Sequence, residues 1–316
     1  MARLTVWLAA TRPRTLAAGA APVAVGTALA ATTVPVRWDG VAACLIGAIL
    51  IQIGCNFAND LGDALKGGDT PDRLGPRRAV ATGEISARAM GVATAIVLAF
   101  AFLVGLWLTA IAGWPILILG VVSIVLALAY TTGPFPLAYL GLGDLFVLLF
   151  FGFAAVLGSW WVQVAAAGVP GVPPWPCWAV AGAIGLQATA ILAVNNLRDL
   201  PTDGRVGKRT LAVRLGDRLS RVYLLALHAS AVALFAVAAI ALSWLWPAVG
   251  VAAFGAVVAG IGTVRAQGAA LNPWLGRTAA VELLTAATVS ISACFGAWSS
   301  AEFTTWVSRL VCGVTV

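Results

Sequence analysis

The sequence predicts an all-α, multi-pass membrane protein with about nine transmembrane helices and two polar loops on one side. Three observations predict it. The first is composition: of 316 residues, 61% are apolar and 10% charged, with a mean hydropathy of +0.98. A soluble domain carries roughly 25% charged residues, so this chain lacks the polar groups to cover a water-facing surface and belongs in lipid. The second is the run length of apolar sequence. A membrane helix takes about 20 mostly apolar residues, and such runs fall at residues 15–34, 40–59, 89–109, 113–130, 144–166, 177–195, 221–243, 246–264 and 279–299. The third is the placement of cations. With nine spans, the N-terminus and the loops after spans 2, 4, 6 and 8 share one side. That side holds all but Arg37 and Arg309 of the 19 basic residues. Such a bias marks the cytoplasmic side, and adding or removing one span destroys it.

Taken in order, the N-terminal "MARLTVWLAATRPRTLAAG" does not read as a cleavable leader, because "RPR" interrupts its apolar run. The first span is rich in Ala and Gly and carries Pro22. Spans 2 and 6 each run into a polar loop, 60–88 and 196–220, so the chemistry is expected at the cytoplasmic face. Tryptophans, among them Trp38, Trp107, Trp114, Trp160, Trp175, Trp178 and Trp246, gather near the opposite ends of the spans, where amphipathic rings favour the membrane interface. The five cysteines form no C-x-x-C pair and read as small apolar residues. The net charge of +7 reads as basic loops at a membrane surface, with no nucleic acid and no protein partner implied. Glu282 lies early in span 9, near enough in sequence to pair with Arg277. His228, the only histidine, reads as a neutral helix residue.

The informative stretches are "NFANDLGDALKGGD", Asn56 to Asp69, and "NNLRDLPTDGRVGKRT", Asn195 to Thr210. On a helix, Asn56, Asp60 and Asp63 (i, i+4, i+7) share one face, as do Asn196, Asp199 and Asp203 (i, i+3, i+7). The Asn56–Asp60 pair recurs as Asn195–Asp199, at the same end of spans 2 and 6, which is a parallel duplication. Carboxylates so aligned repel one another, and acids at a membrane edge are costly, so something positive must compensate. Oxygen donors without His or Cys suit Mg²⁺, which is commonly held by one or two carboxylates together with substrate phosphates. The candidate metal ligands are Asp60, Asp63, Asp69, Asp199 and Asp203. The chain has only two lysines, Lys66 and Lys208, one in each stretch. With Arg198, Arg209 and the amides of Asn56, Asn59 and Asn196 they form a candidate diphosphate-binding set. Asp60, Asp63, Asp199, Asp203 and Lys208 are the candidate catalytic groups.

At these residues the chain resembles the UbiA-type intramembrane prenyltransferases, whose first motif is similar to N-D-x-x-D and second to D-x-x-x-D; here they read "NDLGD" and "DLPTD". The resemblance is strongest to the branch that prenylates 1,4-dihydroxy-2-naphthoate. It is carried by "RPRTLAAGAAPVAVGTALA", "NDLGDALKGGDTPDRLGPRR", "NNLRDLPTDGRVGKRTLAVRLGD" and "LNPWLGRTAAVELL". In the 4-hydroxybenzoate branch a third acid follows the second by four residues; here position 67 is glycine and the next acid is Asp69. The resemblance implies helices around a central cavity capped by the two polar loops, in a bacterial plasma membrane. It also implies Mg²⁺-dependent transfer of a polyprenyl group from polyprenyl diphosphate to 1,4-dihydroxy-2-naphthoate, with loss of CO₂, giving demethylmenaquinone. A related enzyme using 4-hydroxybenzoate or homogentisate is the alternative acceptor reading. A transporter is the remote one, since its ionisable groups would sit near the bilayer midplane. On the same cytoplasmic side, Arg12 and Arg14 enter span 1, and Tyr130 and Tyr139 flank "TTGPFPLA". Arg14, Tyr130, Tyr139 and, deeper in span 6, Gln187 are the candidate acceptor contacts.

Overall fold

The computed structural model describes residues 4–67, 74–75, 78–169 and 171–312, with the backbone alone for 14, 17 and 297–312. All elements among the described residues are helical: α1 (Leu4–Ala10), α2 (Pro13–Ala31), α3 (Trp38–Leu65), α4 (Ala87–Ala112), α5 (Trp114–Ala129), α6 (Gly143–Val147), α7 (Gly158–Ala166), α8 (Trp175–Arg205), α9 (Leu211–Ala241), α10 (Trp246–Arg265) and α11 (Asn272–Cys312). Between α6 and α7 the backbone runs as a π-helix from Leu148 to Leu157, so Gly143–Ala166 forms one continuous rod.

Local chemistry sets the boundaries. Proline in the first turn opens α2, α5, α8 and α10, where its missing N–H costs nothing. Ser86 and Thr210 cap α4 and α9 by accepting from the N–H groups of Ala89 and Val213. Gly113, at φ 82°, makes the tight turn from α4 to α5. Arg221 of α9 caps the end of α10, donating to the carbonyls of Thr263, Val264 (3.2 Å) and Ala266 (2.9 Å).

Seven helical rods among the described residues are long and apolar enough to cross a membrane. The first and fourth expected spans are shorter, with apolar helix over Ala18–Ala31 and Trp114–Ala129. The two polar stretches also differ from expectation. Helix α3 continues to Leu65 and α8 to Arg205, while α9 starts at Leu211 and kinks at Gly216. Most of residues 196–220 is therefore helix. Hydropathy reports where the apolar wall ends, whereas the hydrogen-bond ladder runs on past it.

Helix α8 lies at the centre, with 72% of its apolar window buried against 22% for α4. It packs on α9, α11 and the π-helical segment, α2 packs on α3 and α11, and α3 on α4. At the crossing of α8 with the π-helix, a Cβ on Gly152 would lie 2.6 Å from the Ala181 carbonyl oxygen, and one on Gly185 would lie 2.7 Å from that of Leu148. The main core joins Val25 and Leu29 of α2, Val156, Ile184 of α8 and Phe235 of α9. Trp38, Trp114, Trp175 and Trp246 are exposed as expected, but Trp160 is buried in this core. Arg277 stacks on the Trp274 ring at 4.2 Å and does not pair with Glu282, which is fully buried.

Candidate active site

Helices α3 and α8 each carry one acidic stripe at the end that forms the polar cap. Asp60, Asp63, Asp199 and Asp203 are all buried. Asp63 is the junction. Its carboxylate accepts from Arg78 at 2.8 Å and from the Tyr139 hydroxyl at 3.1 Å, and the Lys208 ammonium lies 3.7 Å away. Lys208 belongs to the second acidic stretch, so the two motifs meet across this pair.

Tyr139 ties the arrangement together. The ammonium groups of Lys66 and Lys208 lie over its ring, 5.0 and 5.6 Å from the centroid, and its carbonyl accepts from the Arg209 N–H. Beside it, Gly141 adopts φ 70°, and a Cβ there would lie 2.7 Å from the Arg209 carbonyl oxygen. Lys66 also donates to the Thr131 carbonyl at 2.6 Å. Partial burial lowers the Lys66 pKa below the ordinary lysine value, while the charge of Asp63 works in the other direction.

The other predicted residues have definite places. Asp60 accepts from the backbone N–H groups of Ala79 and Val80, both at 3.0 Å, and so holds the first polar loop over the site. Asp199 takes a two-pronged bond from its neighbour Arg198, at 2.8 and 2.6 Å. Arg198 also donates to Asn195 and to Asn272. Asp203 is buried, and its carbonyl accepts the Lys208 N–H. Asn59 accepts from Thr131, Asn196 is buried, and Asn56 donates to the Thr11 carbonyl and to the Thr15 hydroxyl. Asp69 and the Arg14 side chain lie outside the described residues.

Below this cap a cavity of about 380 Å³ opens between α2, α3, α4, α5, the π-helical rod and α8. Its cap-facing rim is polar, with Arg12, Asn56, Asn59, Tyr130 and Asn195, and the rest of its wall is predominantly apolar. Arg12 caps α2 at φ 54°, the one positive φ of a non-glycine residue among those described. Such a conformation persists where its surroundings hold it, and here Asn56 and Thr15 grip the turn on either side. Tyr130 lines the cavity. Gln187 does not; it faces α11, donating to Thr285 at 3.2 Å.

Sequence reasoning missed Arg78 and Asn272. Arg78 is 5% exposed and neutralises Asp63. Asn272, at the start of α11, accepts from Arg198 and donates to the Leu74 carbonyl, joining the first loop to the second motif. Its place inside "LNPWLGRTAAVELL" was the available signal.

No three His, Cys, Asp or Glu side chains converge as a ready-made metal cage among the described residues. The donor set still fits Mg²⁺. It is all oxygen: the carboxylates of Asp60, Asp63, Asp199 and Asp203, with no His or Cys among them. An ion that shares its shell with phosphates needs only one or two such groups.

The UbiA prenyltransferase family profile matches residues 20–274. The chain belongs to the UbiA prenyltransferase family. This UbiA prenyltransferase is 43% identical over 235 residues to a 1,4-dihydroxy-2-naphthoate octaprenyltransferase of Escherichia coli, covering 71% of this chain and 72% of that one. A protein of the same name from Mycobacterium tuberculosis is 37% identical over 298 residues, 94% of this chain and 99% of the other. In fold it is similar to a UbiA homolog from Archaeoglobus fulgidus whose structure was solved with GPP and Mg²⁺. The TM-score is 0.64 at 18% identity, over 90% of this chain and 99% of that chain.

Proposed function

We propose that this UbiA prenyltransferase transfers a polyprenyl group from polyprenyl diphosphate to 1,4-dihydroxy-2-naphthoate, with release of diphosphate and CO₂, in menaquinone biosynthesis. The observation that carries the reading is the Asp63–Lys208 meeting of the two acidic motifs directly above an apolar cavity. The names of the relatives support the choice of acceptor.

Asp60, Asp63, Asp199 and Asp203 would hold Mg²⁺, which supplies counter-charge to a leaving diphosphate. Lys66, Lys208 and Arg209 bind the same anion from the protein side, with Tyr139 holding the two ammonium groups in place. As the allylic C–O bond breaks, these cations stabilise the charge that gathers on the departing oxygen. The apolar wall excludes water from the allylic carbon until the aromatic ring attacks it. The new carbon–carbon bond forms at the ring and the carboxylate leaves as CO₂, its bonding pair returning to the ring, so that ring carboxylate and allylic cation together give a neutral prenylated hydroquinone.

The polarity of the cap supports nine crossings of the plasma membrane, with α2 and α5 as the short first and fourth spans and the site on the cytoplasmic side. The test is direct: purified protein receives polyprenyl diphosphate, 1,4-dihydroxy-2-naphthoate and Mg²⁺, and a prenylated naphthoate product is expected. No such product, together with turnover of 4-hydroxybenzoate, would reject the acceptor assignment.

A further inference from the structure

Gln52 stands on α3 one turn deeper than Asn56 and two turns deeper than Asn59, and all three line the cavity. Asn56 and Asn59 spend their amides on Thr11, Thr15 and Thr131. Among the described residues, no protein group hydrogen-bonds to the carboxamide of Gln52. The wall of the cavity is otherwise predominantly apolar, with Ala48 and Ile51 on the same helix and Phe146 and Phe150 on the rod. Ser123, a polar lining residue of α5, satisfies its hydroxyl on the Leu119 carbonyl of its own helix. Gln52 is therefore an amide held open toward the cavity at membrane depth.

An unpaired amide in apolar surroundings is costly, and polar side chains inside a membrane bundle mark ligand paths. An isoprenoid tail has no atom that can partner an amide. With the diphosphate head held in the cap above, only the aromatic substrate can do so at this depth. Four residues of helix raise Asn56 about 6 Å above Gln52, a distance comparable to that between a ring carboxylate and a hydroxyl meta to it. An acceptor whose carboxylate lies at the cationic rim, where Arg12 and Asn56 sit, places its remote hydroxyl at the depth of Gln52.

We infer that Gln52 is a specificity-determining contact for the acceptor, its carboxamide exchanging hydrogen bonds with the ring hydroxyl farthest from the carboxylate. The inference rests on the naphthoate reading above. It assigns the tail to the apolar part of the wall, which includes Phe146 and Phe150.

The experiment pairs deletion of the amide with deletion of the hydroxyl. Gln52→Leu and Gln52→Met are compared with wild type in three quantities: the acceptor KM with dihydroxynaphthoate, the donor KM, and the inhibition constant for the monohydroxy analogue, 1-hydroxy-2-naphthoate. The expected result is at least a tenfold rise in the acceptor KM in both variants. The donor KM and the monohydroxy inhibition constant should change less than twofold. Equal loss for both aromatic ligands, or no loss for either, overturns the contact, as does a wild-type protein that does not distinguish the two. The last comparison needs no variant to fold. Wild-type protein that turns over no dihydroxynaphthoate with any donor sinks the parent reading, and this contact with it.

Discussion

Asp63 holds Arg78, Tyr139 and Lys208 with one carboxylate, and Asp199 holds Arg198, which is 2% exposed. Removing one side of a buried ion pair costs roughly 3–5 kcal/mol, because the other charge is left without a counter-ion. Asp63→Ala and Asp199→Ala are therefore expected to lower the melting temperature and to abolish turnover. Wild-type rates in either variant would end the metal and diphosphate roles. Lys66 adds a pH prediction. Its pKa lies below the ordinary lysine value of 10.5, so its charge is lost earlier as pH rises. The donor KM should climb on the alkaline side, and Lys66→Arg should carry that rise to higher pH. An unchanged profile in the arginine variant would remove Lys66 from the diphosphate set. At this scale the acidic stripes are legible in the sequence because their spacing is a local, helical property. Arg78, Asn272 and Gln52 are not. Asn272 reaches Leu74 across 198 positions of chain, and an amide inside "LIGAILIQIGC" acquires meaning only once a cavity opens beside it.

At the scale of the element, helix termini carry the chemistry. Each apolar run falls on a helix, yet run length misses that α3 and α8 continue into the cap, because hydropathy measures lipid contact and not backbone hydrogen bonding. The π-helical stretch is equally invisible, since "LLFFGFAAVL" is apolar under any winding. Its contact with α8 is set by Gly152 and Gly185, where backbones meet. Gly152→Val should destabilise the protein by about 1–3 kcal/mol through overpacking, read as a lowered melting temperature; full wild-type stability would show that the crossing can open. Glu282 of α11 makes the opposite case. It is wholly buried, and neither carboxyl oxygen has a hydrogen-bond partner among the described residues. Replacement by an apolar side chain of similar length removes a penalty of about 1–3 kcal/mol, so Glu282→Met should melt higher than wild type. A lower melting temperature would assign that carboxyl a partner or a bound water.

For the whole molecule, the cation bias across the spans makes a topological prediction that the fold does not itself contain. In a cysteine-free background, an impermeant maleimide applied to intact cells should label Asp39→Cys and leave Glu84→Cys unlabelled. The reverse pattern would invert the protein in its membrane. The cap itself has a thermodynamic consequence. Its acids and bases already satisfy one another, Asp63 with Arg78 and Lys208, Asp199 with Arg198. An arriving pyrophosphate head that draws on these groups displaces a carboxylate from a cation that was already occupied. Affinity in such a site is the difference between two similar sums, which favours ready exit of the spent anion over tight retention.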